Sequence, residues 1–184
     1  MRQPAIYAAT VPRFVVLLRG INVGTAKRVA MADLRDLLRE LGFIDVRTVL
    51  NSGNALVTGP DGEHAARLEV ALRERLGFDV RCVVLTADAV RTIAESNPFA
   101  DTATDGSRMT AHILAAEPDP ALLAAHDPVA LDPGRAALGA RVIYQWCPDG
   151  LLAAPPVGRF AERHLGVAVT ARNWNTVRKL YALL

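Results

Sequence analysis

The chain has 184 residues, enough for one large domain or two small ones, and its 51% hydrophobic content, much of it alanine, excludes disorder and suits a globular protein with a core. With 21 Lys plus Arg against 19 Asp plus Glu, the net charge of +2 is too small for a protein that wraps a polyanion or carries an acidic tail, so any basic site must be local. Cys82 and Cys147 lie in neither a C-x-x-C nor a His-paired spacing, which points away from zinc and redox sites and toward buried free thiols.

The first twelve residues contain Arg2, Pro4 and Pro12, and the apolar run behind them, Phe14 to Leu18, is too short for a signal peptide or a membrane span. No membrane partner is expected, and the reducing cytoplasm is the expected location. Extended to Arg19, the same run is short, β-branched and aromatic, which predicts a buried strand. Met31, Leu34, Leu37, Leu38 and Leu41 then recur at helical spacing, with Gly42 placed to cap the helix end.

Asp45 to Leu50 alternates Val46, Thr48 and Leu50 against Arg47 and Val49, and Asn51-Ser52-Gly53-Asn54 supplies the turn into Ala55 to Thr58, which predicts a hairpin. After the break at Gly59-Pro60-Asp61-Gly62, the residues Ala65, Leu68, Leu72 and Leu76 mark a second helix, ended by Gly77. Phe78 to Leu85 is the expected fourth strand. Thr86 caps a further helix through Val90, Ile93 and Ala94, which stops at Asn97-Pro98 because a residue before proline avoids helical angles.

This order of strand, helix, strand, strand, helix, strand is that of the ferredoxin-like split βαβ unit. The polar stretch Asp101 to Ser107 reads as a linker, and the order recurs behind it. The expected elements are strand Met109 to Ala115, a Pro-initiated helix through Leu122 and Leu123, a weak strand near Val129 to Leu131, strand Arg141 to Trp146, helix Phe160 to Leu165, strand Val167 to Thr170, and a closing helix through Trp174, Val177, Leu180, Tyr181 and Leu184. The predicted class is α+β: two ferredoxin-like (βαββαβ) halves, 13–100 and 108–184, each followed by an extra helix.

The chain contains no G-x-S-x-G elbow, no G-x-x-x-x-G-K-[ST] loop and no H-E-x-x-H pair, and His64, His112, His126 and His164 are scattered, so no catalytic residue, metal or cofactor is indicated. His112 sits in mid-strand and reads as a satisfied, partly buried histidine. Asp33, Asp36 and Glu40 alternate with Arg35 and Arg39 along one helix, which describes a solvated face rather than a carboxylate pair.

Three segments hold more polar groups than their turns require. In the first, Arg19-Gly20-Ile21-Asn22-Val23-Gly24 with Lys27 behind it, a strand opens through glycines toward a helix, a shape that aims backbone N–H groups at an anion. The second is the turn Asn51-Ser52-Gly53-Asn54; the first and third strands of a ferredoxin-like unit are antiparallel neighbours, so Asn22, Asn51 and Asn54 are expected at one sheet edge. The third, Thr170 to Thr176 at the start of the last helix, carries Arg172, Asn173 and Asn175. Thr170 or Asn173 serves as its cap, Trp174 reads as a core anchor, and Arg172 is expected to be exposed, important to a ligand and of little weight in stability.

The same segments carry a resemblance. Leu17-Leu18-Arg19-Gly20-Ile21-Asn22-Val23-Gly24, Met31 with Leu34-Arg35, Leu41-Gly42-Phe43, Val46-Arg47-Thr48, Ser52-Gly53-Asn54, Asn97-Pro98-Phe99, and Thr170 with Arg172-Asn173-Trp174-Asn175-Thr176 resemble, in order and spacing, the bacterial domain-of-unknown-function 1697 family. The resemblance spans residues 13 to 184, implies two ferredoxin-like halves and implies no established activity. The chain departs from the family pattern at Thr25, where another glycine is common, and around Ala153 to Pro156, where a Ser-Lys pair is often found.

The function expected is binding of a small anionic or nucleotide-like ligand in one polar cleft formed by the three segments. Nucleic-acid binding is the alternative that the fold permits, although Ala55-Leu56-Val57-Thr58 lacks the stacking aromatics of an RNA-recognition motif. A scaffold without chemistry is the third class.

Overall fold

Apolar runs bounded by turn residues build two layered units, seen in a computed structural model that describes residues 11–22 and 27–184. The first comprises β1 (Arg13–Leu18), α1 (Met31–Glu40), β2 (Ile44–Val49), β3 (Asn54–Thr58), α2 (His64–Leu76), β4 (Cys82–Thr86) and α3 (Ala87–Glu95). The second comprises β5 (Met109–Leu114), α4 (Pro120–Ala125), β6 (Ala136–Gly139), β7 (Val142–Trp146), α5 (Val157–Leu165), β8 (Val169–Asn173) and α6 (Trp174–Tyr181). Each unit holds a four-stranded antiparallel sheet, in the order β2-β3-β1-β4 and β6-β7-β5-β8. In both, the unit's first strand lies between its third and its fourth.

Side-chain alternation then decides what each sheet face covers. Phe14, Val16 and Leu18 of β1 pack with Leu34, Leu38, Leu68 and Leu72 of α1 and α2. Leu114, Ile143 and Val169 of the second sheet pack with Val157, Ala161 and Leu165 of α5. The opposite faces meet each other: Val15, Leu17, Val83 and Leu85 share one core with Met109, Ala111, Ile113 and Tyr144, and Val90 and Ile93 of α3 and Trp174, Val177 and Leu180 of α6 belong to it. The Tyr144 hydroxyl donates to the Ile93 carbonyl at 2.8 Å, a hydrogen bond from one unit to the other. Each large apolar side chain buried there contributes about 1.5–3 kcal/mol, so the shared core, rather than the linker, holds the units together.

Several elements differ from the sequence-based expectation. Val129 to Leu131, read as a weak strand, is a single 3-10 turn, Pro128–Leu131, because Asp127 caps it through Val129 N at 2.9 Å and Pro128 presets its first position. The strand of that hairpin is Ala136–Gly139, where alanine and glycine give almost no strand signal. The fourth strand starts at Cys82 rather than Phe78, with Val80 buried on the way in. The helix expected from Phe160 begins at Val157, and the strand expected to end at Thr170 runs on to Asn173, so Arg172 stands in a strand and not at a helix start. Leu50, grouped above with Val46 and Thr48, leaves β2 with a φ of 59° and is exposed, while Val49 enters the shared core.

Candidate functional site

A cleft of about 680 Å³ opens between the two units. Its walls are the end of β1 with the following Arg19, Gly20 and Ile21, the turn residue Ser52, β8, the first turns of α5, and the segment from Leu151 to Pro156; His112 and Gln145 line it from the second sheet. Leu151 and Leu152 are exposed on its rim.

Arg172 crosses from β8 to the first unit and is only 8% exposed. Its Nε donates to Asn54 Oδ1 at 2.6 Å, Nη1 to Thr170 Oγ1 at 2.9 Å and Ala171 O at 2.8 Å, and Nη2 to Leu18 O at 2.6 Å, with Ser52 O and Gly53 O at 3.4 Å. Every acceptor is an uncharged oxygen. Among the described residues no carboxylate lies within ion-pair distance of this guanidinium, and burial pulls its pKa down to about 10. The expectation of an exposed Arg172 is therefore corrected: alternation along β8 turns it inward with Thr170 rather than out to solvent.

Arg19 meets Glu162 of α5 through both terminal guanidinium nitrogens, an ion pair between the units at the cleft's edge. Arg159 also faces the cleft. Arg19, Arg159 and Arg172 thus stand against the single carboxylate of Glu162, which leaves the lining positive.

Of the residues singled out from sequence, Arg19, Gly20, Ser52, Arg172 and Asn173 line this cleft. Asn22 and Asn51 meet at the expected sheet edge, but their groups serve the fold: Asn22 Nδ2 donates to Asn51 O at 2.6 Å and Val29 O at 3.0 Å, and Asn22 Oδ1 accepts from Val29 N at 2.9 Å. Asn54 is fully buried, donating to Val49 O at 2.8 Å and Ser52 Oγ at 3.0 Å while accepting from Arg172. Asn173 Oδ1 caps α6 by accepting from Thr176 N at 2.9 Å. Lys27 Nζ donates to Asp79 O at 3.1 Å, and Asn175 packs on Gly106 and faces a separate groove with Arg47 and Arg178. Gly24, like Thr25, lies outside the described residues.

Beneath the cleft, His112 is the satisfied histidine expected from its mid-strand position, but its partners Gln145 and Asp132 were not singled out from sequence. His112 Nε2 lies 3.0 Å from Gln145 Oε1, and Gln145 Nε2 donates to Asp132 Oδ2 at 2.8 Å and Pro155 O at 3.0 Å. Burial holds the His112 pKa below the usual histidine range, with Gln145 opposing the shift in part. The available signal was a histidine and a glutamine inside two otherwise apolar strands, an arrangement that asks for polar partners. Both cysteines are free and buried. Burial raises the Cys147 thiol and pushes the Cys82 thiol up to about 12. Among the described residues no cluster of His, Cys, Asp and Glu could hold a metal ion, and no helix is long and apolar enough to cross a membrane.

The fold is similar to that of the conserved bacterial protein SP0830 from Streptococcus pneumoniae, with a TM-score of 0.69 and 24% identity over 94% of this chain and 98% of that one. No curated protein matches the sequence significantly. The family model described as "Protein of unknown function (DUF1697)" matches residues 11–144, and the chain belongs to that family.

Proposed function

We propose that this protein binds a small anionic or nucleotide-like ligand in the cleft between two ferredoxin-like halves, 13–100 and 108–184. The observation that carries the reading is Arg172: a buried cation with no carboxylate partner, beside a cleft whose lining has a surplus of arginines. A charge buried without an opposite charge weighs on the native state, and a bound anion relieves that cost. Arg19, Arg159 and Ser52 supply donors reachable from the same space. The strand orders and the helix behind each fourth strand support the two-half description. Free thiols at Cys82 and Cys147 suit a reducing cytoplasm.

The nucleic-acid reading is weaker, because a ferredoxin-like RNA binder presents one sheet face to bases and here the inner faces of both sheets are packed in the shared core. The deciding experiment is a thermal-shift screen of phosphates, nucleotides and carboxylates. A ligand at about 100 times its Kd adds roughly 2.7 kcal/mol. Arg159→Ala, at an exposed position, should remove that gain while leaving the unliganded melting temperature nearly unchanged. A screen without hits, or salt-dependent binding of single-stranded RNA in its place, overturns the reading.

A further inference from the structure

Among the buried polar side chains facing the cleft is the uncharged ring of His112. It is 6% exposed and stands on β5 opposite Ile143 and Ala171. The hydrogen bonds behind it fix its tautomer. Pro155 O can only accept, so the Gln145 amide must turn its nitrogen toward Pro155 and Asp132 and its oxygen toward His112. Nε2 of His112, facing that oxygen, therefore bears the proton. The ring's other nitrogen, Nδ1, is left with its lone pair.

That lone pair makes no hydrogen bond to the described residues and faces the first turn of α5, where a Cβ built on Gly158 would stand 2.5 Å from Nδ1. Only glycine lets the ring come this close. The turn also keeps free donors. Pro156 provides no side-chain cap, Val157 N donates to Pro155 O at 2.9 Å and Phe160 N to Pro156 O at 3.0 Å, while the N–H groups of Gly158 and Arg159 have no partner among the described residues. An acceptor nitrogen and unpaired helix N–H groups thus share one corner, and Gly158 and Arg159 both face the cleft.

We infer that this corner is a subsite for an oxyanion that carries its own O–H group, such as hydrogen phosphate or a 2-hydroxy carboxylate. Its charged oxygens accept from the N–H groups of Gly158 and Arg159, with the helix dipole and the Arg159 side chain adding attraction, and its O–H donates to His112 Nδ1. Asp132 and Gln145 are positioning residues that keep Nδ1 an acceptor. The subsite rests on the anion-binding reading of the cleft and narrows its ligand: a fully ionised sulfate or a plain carboxylate offers no proton to Nδ1.

The test uses the whole wild-type protein, uniformly labelled with nitrogen-15. Long-range proton–nitrogen spectra near pH 7.5 should show His112 protonated at Nε2 only. Phosphate should bind about tenfold more tightly than sulfate, and glycolate than acetate, as expected for one extra hydrogen bond in a buried site, with the Nδ1 resonance moving for phosphate and glycolate alone. Gln145→Leu should release the tautomer and erase the preference for phosphate over sulfate and for glycolate over acetate. A proton on Nδ1, or equal affinities within both pairs, overturns the subsite and leaves the anion-binding cleft standing. If none of the four anions shifts any cleft resonance, the subsite falls, and the thermal-shift screen with nucleotides decides the anion-binding reading separately.

Discussion

At Arg172 two costs pull in opposite directions. Its burial disfavours the charged guanidinium, yet that guanidinium satisfies Asn54 Oδ1 and Leu18 O, which are buried with it. Removing the donor leaves buried acceptors unpaired, a penalty of about 1–3 kcal/mol each. Arg172→Met should therefore lower stability by roughly 3 kcal/mol in urea unfolding, whereas the exposed arginine expected from sequence would have cost almost nothing. A loss below about 0.5 kcal/mol, the range of ordinary surface substitutions, would show that the six contacts contribute no net stability. The Cys82 thiol gives a pH-dependent counterpart. Burial raises its pKa from 9.0 to about 12, so between these values the unfolded chain ionises while the folded chain keeps its proton. The stability from this group is complete below pH 9 and is lost as the pH rises toward 12. Unfolding at stepped pH values should show Cys82→Ala with a shallower alkaline decline than the parent protein. Parallel curves would mean that the thiol is solvated in the folded state.

At the scale of elements, the two units end their sheets in the same manner. Thr86 closes β4 and caps α3, accepting from Ala89 N at 3.2 Å, and Asn173 closes β8 and caps α6, accepting from Thr176 N at 2.9 Å. Both have φ −68° and ψ 158°. Asn173→Ala should cost about 1 kcal/mol through the lost cap, readable as a lower urea midpoint with an unchanged slope; no change would mean that Trp174 alone seats the helix. Gly53→Ala should cost more. Its φ is 77°, and an added Cβ would stand 2.7 Å from Leu18 Cβ and from Ile21 Cδ1, so the change strains the backbone and crowds the core together. The helices α1, α2, α3 and α6 were legible in the sequence because a one-sided apolar pattern is joined by a closing glycine in α1 and α2 and by a capping Thr86 or Asn173 in α3 and α6, and the β2–β3 hairpin because of its turn residues. β6 was not legible, since Ala136–Gly139 is held by pairing with β7 and not by propensity. The site was legible only in part. Antiparallel pairing of β1 with β3 brings Asn22 and Asn51 to one edge, but which polar groups turn inward depends on β8's register and on the docking of one unit against the other.

For the molecule as a whole, stability belongs to the two units together rather than to either one. The inner faces of both sheets and the helices α3 and α6 close on one cluster, and the cleft lies where the units meet. Arg172, Tyr144 and Arg19 each bond from one unit to the other. Separating the units would expose most of that cluster, at about 25 cal/mol for each Å² of apolar surface returned to water. Neither unit alone covers its inner face. The expected outcome is one cooperative transition in which probes of the two units coincide. Trp146 and Trp174 both lie in the second unit, so tryptophan fluorescence follows that unit, whereas thiol labelling of Cys82 follows the first. Urea midpoints from the two probes should agree within error, and a chain cut to 108–184 should lack a cooperative transition. Separate midpoints, or a folded fragment, would show instead that the units are independent domains and that the cleft is only a contact surface between them.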